Sequence, residues 1–143
     1  MEERARDREL IQAAIEARER AYAPYSDYLV GAALLTGSGE IYQGCNIENA
    51  SYGATNCAER TAFFKAVSQG KREFRAIAIV GGKRKSQQGD VFPDIAYPCG
   101  ICRQVMREFC GPEFRILVGK SAEDYEEYTL KEILPESFGP KWN

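Results

Sequence analysis

Leu10, Ile11, Ala14, Ile15, Ala21 and Tyr22 recur at helical spacing with Arg and Glu between them, which predicts an amphipathic helix over 6–22 that Pro24 stops. A turn, Ala23 to Tyr28, leads into the apolar run Leu29 to Thr36, which reads as a buried strand. Gly37-Ser38-Gly39 has hairpin-turn composition, and Glu40 to Asn46 follows as the partner strand. Gly31-Ala32-Ala33 is small for a strand interior, so either the following helix or a ligand packs closely there. Ala62, Phe63, Ala66 and Val67 give a helix over 57–69 its inner face, with Gly70 as its stop. The unbroken Ala76-Ile77-Ala78-Ile79-Val80 makes 74–80 a central strand. A glycine- and charge-rich connection over 81–97 is longer than most. After it come a helix over 100–109 ended by Gly111-Pro112, a strand over 114–118, a short edge strand over 125–129 and a helical turn closed by Pro135. Strands alternating with helices after an opening hairpin predict one α/β layered domain, 1–143, around a mixed sheet.

Composition narrows the chemistry. The chain has no histidine, which excludes a Ser-His-Asp triad, a Cys-His nucleophile and a His-Glu-x-x-His metal site. Any proton shuttle is therefore Glu, Asp, Lys, Tyr or Cys, and any metal is held by sulfur or oxygen. Lys and Arg number 19 against 21 Asp and Glu, a net charge of −2 without the basic excess of a nucleic-acid binder. A small, weakly charged substrate fits better. No run approaches the ~18 apolar residues of a membrane span. Five cysteines and a densely charged first ten residues, with no apolar leader, lead us to expect a reduced, cytoplasmic protein whose cysteines are ligands or core residues.

Two short segments carry the candidate chemistry: Asn56-Cys57-Ala58-Glu59-Arg60-Thr61 and Pro98-Cys99-Gly100-Ile101-Cys102-Arg103-Gln104. A catalytic zinc site uses three protein ligands and leaves the fourth position for water. Zinc nucleobase deaminases place one ligand just before a glutamate and two more in a Pro-Cys-x-x-Cys. Cys57, Cys99 and Cys102 match as ligands, with Glu59 as the proton carrier. If Cys57 and Cys99 open their helices, both helix N-termini point at one spot and favour thiolates over thiols. Three thiolates on Zn2+ give a net charge of about −1. Arg60 and Arg103 stand beside ligands and are expected to draw charge from the sulfurs. Competing readings are a redox Cys-x-x-Cys pair, which leaves Cys57-Ala-Glu59 unexplained, and a closed structural site completed by Cys45 or Cys110, which has no use for Glu59. The loop Asn46 to Gly53, two amides and a carboxylate beside Tyr52, reads either as Asx-turn chemistry or as a sugar-binding loop.

Six segments in order resemble the cytidine deaminases of the short, homotetrameric, three-cysteine type. They are Ala21-Tyr-Ala-Pro-Tyr-Ser26, Val30-Gly-Ala-Ala33, Gly44-Cys-Asn-Ile-Glu-Asn-Ala50, Cys57-Ala-Glu-Arg-Thr-Ala62, Pro98-Cys-Gly-x-Cys-Arg-Gln104 and Leu130-x-x-Ile-Leu-Pro135. The resemblance implies a three-layer α/β/α domain with a mixed five-stranded sheet, and Zn2+ on Cys57, Cys99 and Cys102 with Glu59 as proton shuttle. It implies hydrolysis of cytidine and 2′-deoxycytidine to the uridines with release of ammonia. It places Asn46 and Glu48 on the ribose, Tyr28, Ala50 and the Ala58 backbone in the substrate site, and Tyr52 and Phe138 at a neighbouring subunit's site. By the same resemblance Cys45 is not a ligand. Tyr28 stands where members usually have Phe beside the base, and the 81–97 connection is longer than the type has. Rival expectations are a nucleic-acid editing deaminase, a deaminase of another aminopyrimidine nucleoside or nucleoside antibiotic, and a non-catalytic module stabilised by structural zinc.

Overall fold

A computed structural model of the chain describes residues 2–142. The elements run α1 (Glu2–Arg18), β1 (Tyr28–Thr36), β2 (Ile41–Cys45), α2 (Ala58–Ser68), β3 (Phe74–Lys83), α3 (Gly100–Phe109), β4 (Arg115–Gly119), β5 (Tyr125–Thr129) and α4 (Leu130–Ile133). Single 3₁₀ turns lie at Tyr52–Ala54 and Arg84–Ser86. The five strands form one sheet in the order β2-β1-β3-β4-β5, with β3 at its centre. Only the β3–β4 pairing is parallel, so the sheet is mixed.

Alternation along the inner strands divides the core into two layers. Ala33 and Leu35 of β1 and Ala76, Ala78 and Val80 of β3 face α1, meeting Leu10, Ile11, Ala14 and Ile15. Ala32, Leu34, Ile77 and Ile79 face the other way, onto α2, α3 and α4. The result is the expected three-layer α/β/α arrangement, with both faces of β3 buried. Phe63 of α2 sits among Phe74, Phe109 and Phe114 at ring-centroid distances of 5.1, 6.2 and 6.1 Å, which ties α2 to α3. Each such pair contributes about 0.5–1.5 kcal/mol beyond its burial.

Two glycines let helices lie directly on the sheet. A Cβ at Gly31 would come within 2.0 Å of Ala14 O and 2.5 Å of Arg18 N, so Gly31 accommodates the preceding helix, α1, while Ala32 packs with Ala58 and Ala62 of the following one, α2. A Cβ at Gly44 would meet Ala58 O at 2.4 Å and Ala62 N at 2.5 Å, so β2 receives the first turns of α2.

Several boundaries differ from the expectation: the first helix begins at Glu2, four residues early, and three further differences follow. The first helix stops at Arg18, well before Pro24. The chain tightens over Glu19 to Ala21, and Tyr22 pairs with the strand end through Tyr22 N–Asn46 O (2.9 Å) and Glu48 N–Tyr22 O (2.8 Å). Arg18, only 1% exposed, turns its guanidinium under the sheet. Its Nε donates to Leu29 O (3.2 Å), its Nη2 to Gly82 O (2.8 Å), and its Nη1 to Gln87. The guanidinium also lies 4.6 Å from the Phe92 ring centroid. β3 runs three residues past Val80, because Gly81, Gly82 and Lys83 find partners in Val30, Leu29 and Tyr28. The last parallel strand is shifted by one, to Arg115–Gly119. The long connection after β3 is itself packed, since Phe92 is 1% exposed and its N–H bonds to Lys120 O (2.8 Å). No helix among the described residues is long and apolar enough to cross a membrane.

Candidate active site

Cys57 and Cys99 occupy the N-cap positions of α2 and α3, both with extended backbones. Neither side chain caps its own helix, so the sulfurs are free to turn toward each other. Cys102, one turn into α3, is buried behind them. The Cys57–Cys99 sulfur distance is 3.7 Å, the Cys99–Cys102 distance 3.5 Å, and all three sulfurs lie within 4.8 Å of one another. Tetrahedral zinc with ~2.3 Å Zn–S bonds requires sulfur separations of ~3.8 Å, so the donor set suits that ion in number, chemistry and spacing. Cys45 and Cys110 lie outside the cluster. No fourth Cys, Asp or Glu joins it among the described residues.

The sulfurs share protons unevenly, and a cation, Arg60, stands beside one of them. Cys57 is drawn down to about 5, chiefly by its hydrogen bond with Cys102 and further by Arg60, while Cys102 is pushed far up by the same contact and by burial. Arg60 Nη2 lies 3.3 Å from the Cys57 sulfur, and its Nε is buried with no partner. Arg103 behaves differently from the expectation. Its Nε donates to Pro98 O (2.8 Å) and its Nη1 to Ile133 O (2.7 Å). The planar fork reaches two backbone carbonyls and braces the segment entering Cys99 against α4, so its bonds do not go to sulfur.

Beside the cluster opens a cavity of about 270 Å³, near the lower end of small-molecule sites. Tyr28, Asn46, Cys57, Ala58, Glu59 and Cys99 contribute to its wall. Glu59 follows the N-cap by two residues and is 4% exposed; burial pushes its carboxyl up to about 7. Asn46 is buried and holds the start of β1, its Oδ1 accepting from Val30 N (2.9 Å) and its Nδ2 donating to Tyr28 O (2.8 Å). A larger depression of about 610 Å³, lined by Glu9 and Glu16 of α1 and by Glu19 just after it, contains none of the candidate groups.

The other expected residues lie outside this cavity. Glu48 borders a neighbouring depression of about 340 Å³ with Tyr25 and Tyr52, and Thr55 touches both hollows. Its carboxylate accepts from Tyr25 N (2.9 Å), Ser26 N (3.2 Å) and the Ser26 hydroxyl, which together hold its pKa below the usual range. The loop also contains the Asx turn read as one alternative, with Ser51 N donating to Asn49 Oδ1 (2.8 Å). Ala50, Tyr52 and Phe138 are exposed on the surface, the two rings at 78% and 82%. Several cavity residues escaped the sequence reading, Tyr97 among them. Tyr97 lines the wall and donates to Glu126 Oε1 (2.9 Å) on β5. An aromatic residue one position before Pro98 was the available signal.

Over residues 4–118 the chain matches the family described as the cytidine and deoxycytidylate deaminase zinc-binding region. The chain belongs to this deaminase family. A cytidine deaminase of Halalkalibacterium halodurans is 50% identical over 129 residues, covering 90% of this chain and 91% of the relative. One from Sporosarcina psychrophila is also 50% identical, with 90% and 88% covered. Among solved structures, a cytidine deaminase from Burkholderia pseudomallei superposes with a TM-score of 0.80 at 46% identity, covering 91% of this chain and 97% of that one. The Mycobacterium tuberculosis cytidine deaminase gives 0.73 at 36% identity, with 92% and 95% covered. The deaminase family's zinc-binding character agrees with the three convergent sulfurs.

Proposed function

We propose that this protein hydrolyses cytidine and 2′-deoxycytidine to uridine and 2′-deoxyuridine, releasing ammonia. The observation that carries the reading is the placing of one buried carboxyl, Glu59, in the wall of a small cavity beside three converging cysteine sulfurs. Cys57, Cys99 and Cys102 would hold zinc; when bound, it supplies a water acidic enough to lose a proton near neutral pH. As the water oxygen adds to C4, Glu59 takes one of its protons and passes it to N3 of the base. Glu59 then takes the remaining proton from the new C4 hydroxyl and delivers it to the exocyclic amine, so that C4=O forms, the C4–N bond breaks and ammonia leaves. Tyr28 and the Ala58 backbone border the base. Asn46, Glu48 and Ala50 serve the sugar side, Glu48 by fixing the Tyr25–Ser26 turn that frames it. Arg60 offsets the thiolate charge from 3.3 Å.

The whole chain is read as one domain, working in the cytoplasm with its cysteines reduced. Four copies assemble, and Tyr52 and Phe138 of one chain complete the site of another. Support for that assembly comes from two large rings left in solvent, outside their own cavity. A closed structural zinc module is disfavoured because the cluster offers three side chains and no fourth among the described residues.

The deciding experiment measures zinc per chain and ammonia release from cytidine, 2′-deoxycytidine and a cytosine-containing oligonucleotide. One zinc per chain with turnover of the nucleosides alone is expected. Zinc-replete protein that releases no ammonia from either nucleoside overturns the reading. Arg60→Gln is expected to weaken zinc retention or turnover by about 10–100-fold, the usual effect of losing a partner that hydrogen-bonds a ligand. Equilibrium dialysis against a chelator and steady-state rates check it; unchanged values in both remove Arg60 from the assignment.

A further inference from the structure

After α4 the described residues have no regular secondary structure, yet they are fastened to α3 along their length. Gln104 Nε2 donates to Phe138 O (3.1 Å). Arg107 Nε donates to Ser137 Oγ (3.0 Å), and its Nη1 donates to Pro140 O (2.6 Å). The same guanidinium lies 4.0 Å from the Trp142 ring centroid, and Trp142 Nε1 donates to Cys110 O (3.1 Å). Gly139 leaves room for this seat, since a Cβ there would come within 3.0 Å of the Arg107 side chain. Arg107 is 6% exposed.

Against this anchoring, one side chain stands apart. Phe138 lies between the two points that Arg107 grips, Ser137 and Pro140, and its ring remains in solvent. A free tail would bury an apolar ring against any convenient surface. Here a buried cation holds the Ser137 hydroxyl on one side of the ring and the Pro140 carbonyl on the other, which fixes its direction before any partner arrives. Ordering of the tail is then met at folding and not at assembly, the general advantage of a preorganised contact.

We propose that Arg107, supported by Trp142, is a positioning residue that acts through Phe138: it clamps the tail so that the ring is presented, already ordered, to the substrate site of a second copy of this chain. The proposal rests on the reading that sites are shared between subunits. Arg107 touches neither sulfur nor cavity wall in its own chain, so its effect on catalysis passes only through the tail.

A double-mutant cycle on the assembled enzyme tests this, with cytidine as substrate and oligomeric mass, zinc content and melting temperature measured alongside. Phe138→Ala is expected to raise KM about tenfold and Arg107→Gln about fivefold, with zinc unchanged and the double variant no worse than Phe138→Ala alone. A chain ending at Gly139, which removes the Pro140 carbonyl and Trp142, is expected to reproduce the Arg107→Gln effect and stands in should that variant not fold. If the losses from Phe138→Ala and Arg107→Gln multiply, Arg107 serves stability alone and the clamp is overturned while the shared site stands. If Arg107→Gln and the shortened chain leave KM unchanged, the clamp is overturned in the same way. If Phe138→Ala alters neither KM nor oligomeric mass, the shared-site reading falls and the clamp falls with it.

Discussion

Glu59→Gln is expected to slow ammonia release from cytidine by about 10²–10⁴-fold while each chain keeps its zinc and its fold. That loss corresponds to about 3–5 kcal/mol of barrier. Glutamine nearly matches glutamate in volume, so a side chain 4% exposed can be replaced without opening a cavity in the first turn of α2. The amide cannot accept and return a proton, and that step is what the substitution removes. Cys57, two residues earlier, keeps its N-cap backbone and its bond to Arg60. Following the absorbance change of cytidine together with bound zinc separates the outcomes. A variant that holds zinc and retains more than about a tenth of the wild-type rate would take Glu59 out of the reaction.

The second large effect belongs to the deepest of the three proposed ligands. Cys102→Ser should abolish stable zinc binding and activity together, with a loss of affinity well beyond the ~100-fold typical of an outer hydrogen-bond partner. A serine hydroxyl does not ionise near neutral pH and is a harder, poorer donor than thiolate for this ion. Cys102 is buried at the back of the cluster, so no water-exposed side chain can swing in to replace it. Because zinc bound only to the folded state stabilises it by about 2.7 kcal/mol at 100 times Kd, chelation should lower the wild-type melting temperature toward that of the variant. The variant itself should be indifferent to chelator. Retention of one zinc per chain by Cys102→Ser would show that the metal sits elsewhere.

How much of this was legible before folding depends on how local each determinant is. The Cys-x-x-Cys pair and Cys57-Ala-Glu59 are short-range patterns at helix starts, and both helices begin where those patterns place them. The strands follow from continuous apolar runs, and their alternation assigns α1 to one face and α2 and α3 to the other. What escaped was long-range. Arg18 reads as one more charged residue on a solvated helix face, yet its acceptors are Leu29 and Gly82, eleven and sixty-four residues away. Arg103 looked like a partner for the adjacent sulfurs until Ile133, thirty residues on, supplied a carbonyl. Glu48 was identified as a polar loop residue, but only the folded chain shows its carboxylate engaged by the Tyr25–Ser26 turn. In each case a side chain of familiar type was claimed by backbone groups whose proximity no local pattern encodes.

Gly44 gives the reaction centre an unexpected governor. It lies in β2 and faces the opening turns of the helix that bears both Cys57 and Glu59. Even one methyl there would lever that helix outward and carry Cys57 and Glu59 away from Cys99 together. The dimensions of the chemistry are thus set from outside it, by a hydrogen atom where other residues have carbon. A mutagenesis campaign confined to the cavity wall would never sample the position that controls its depth.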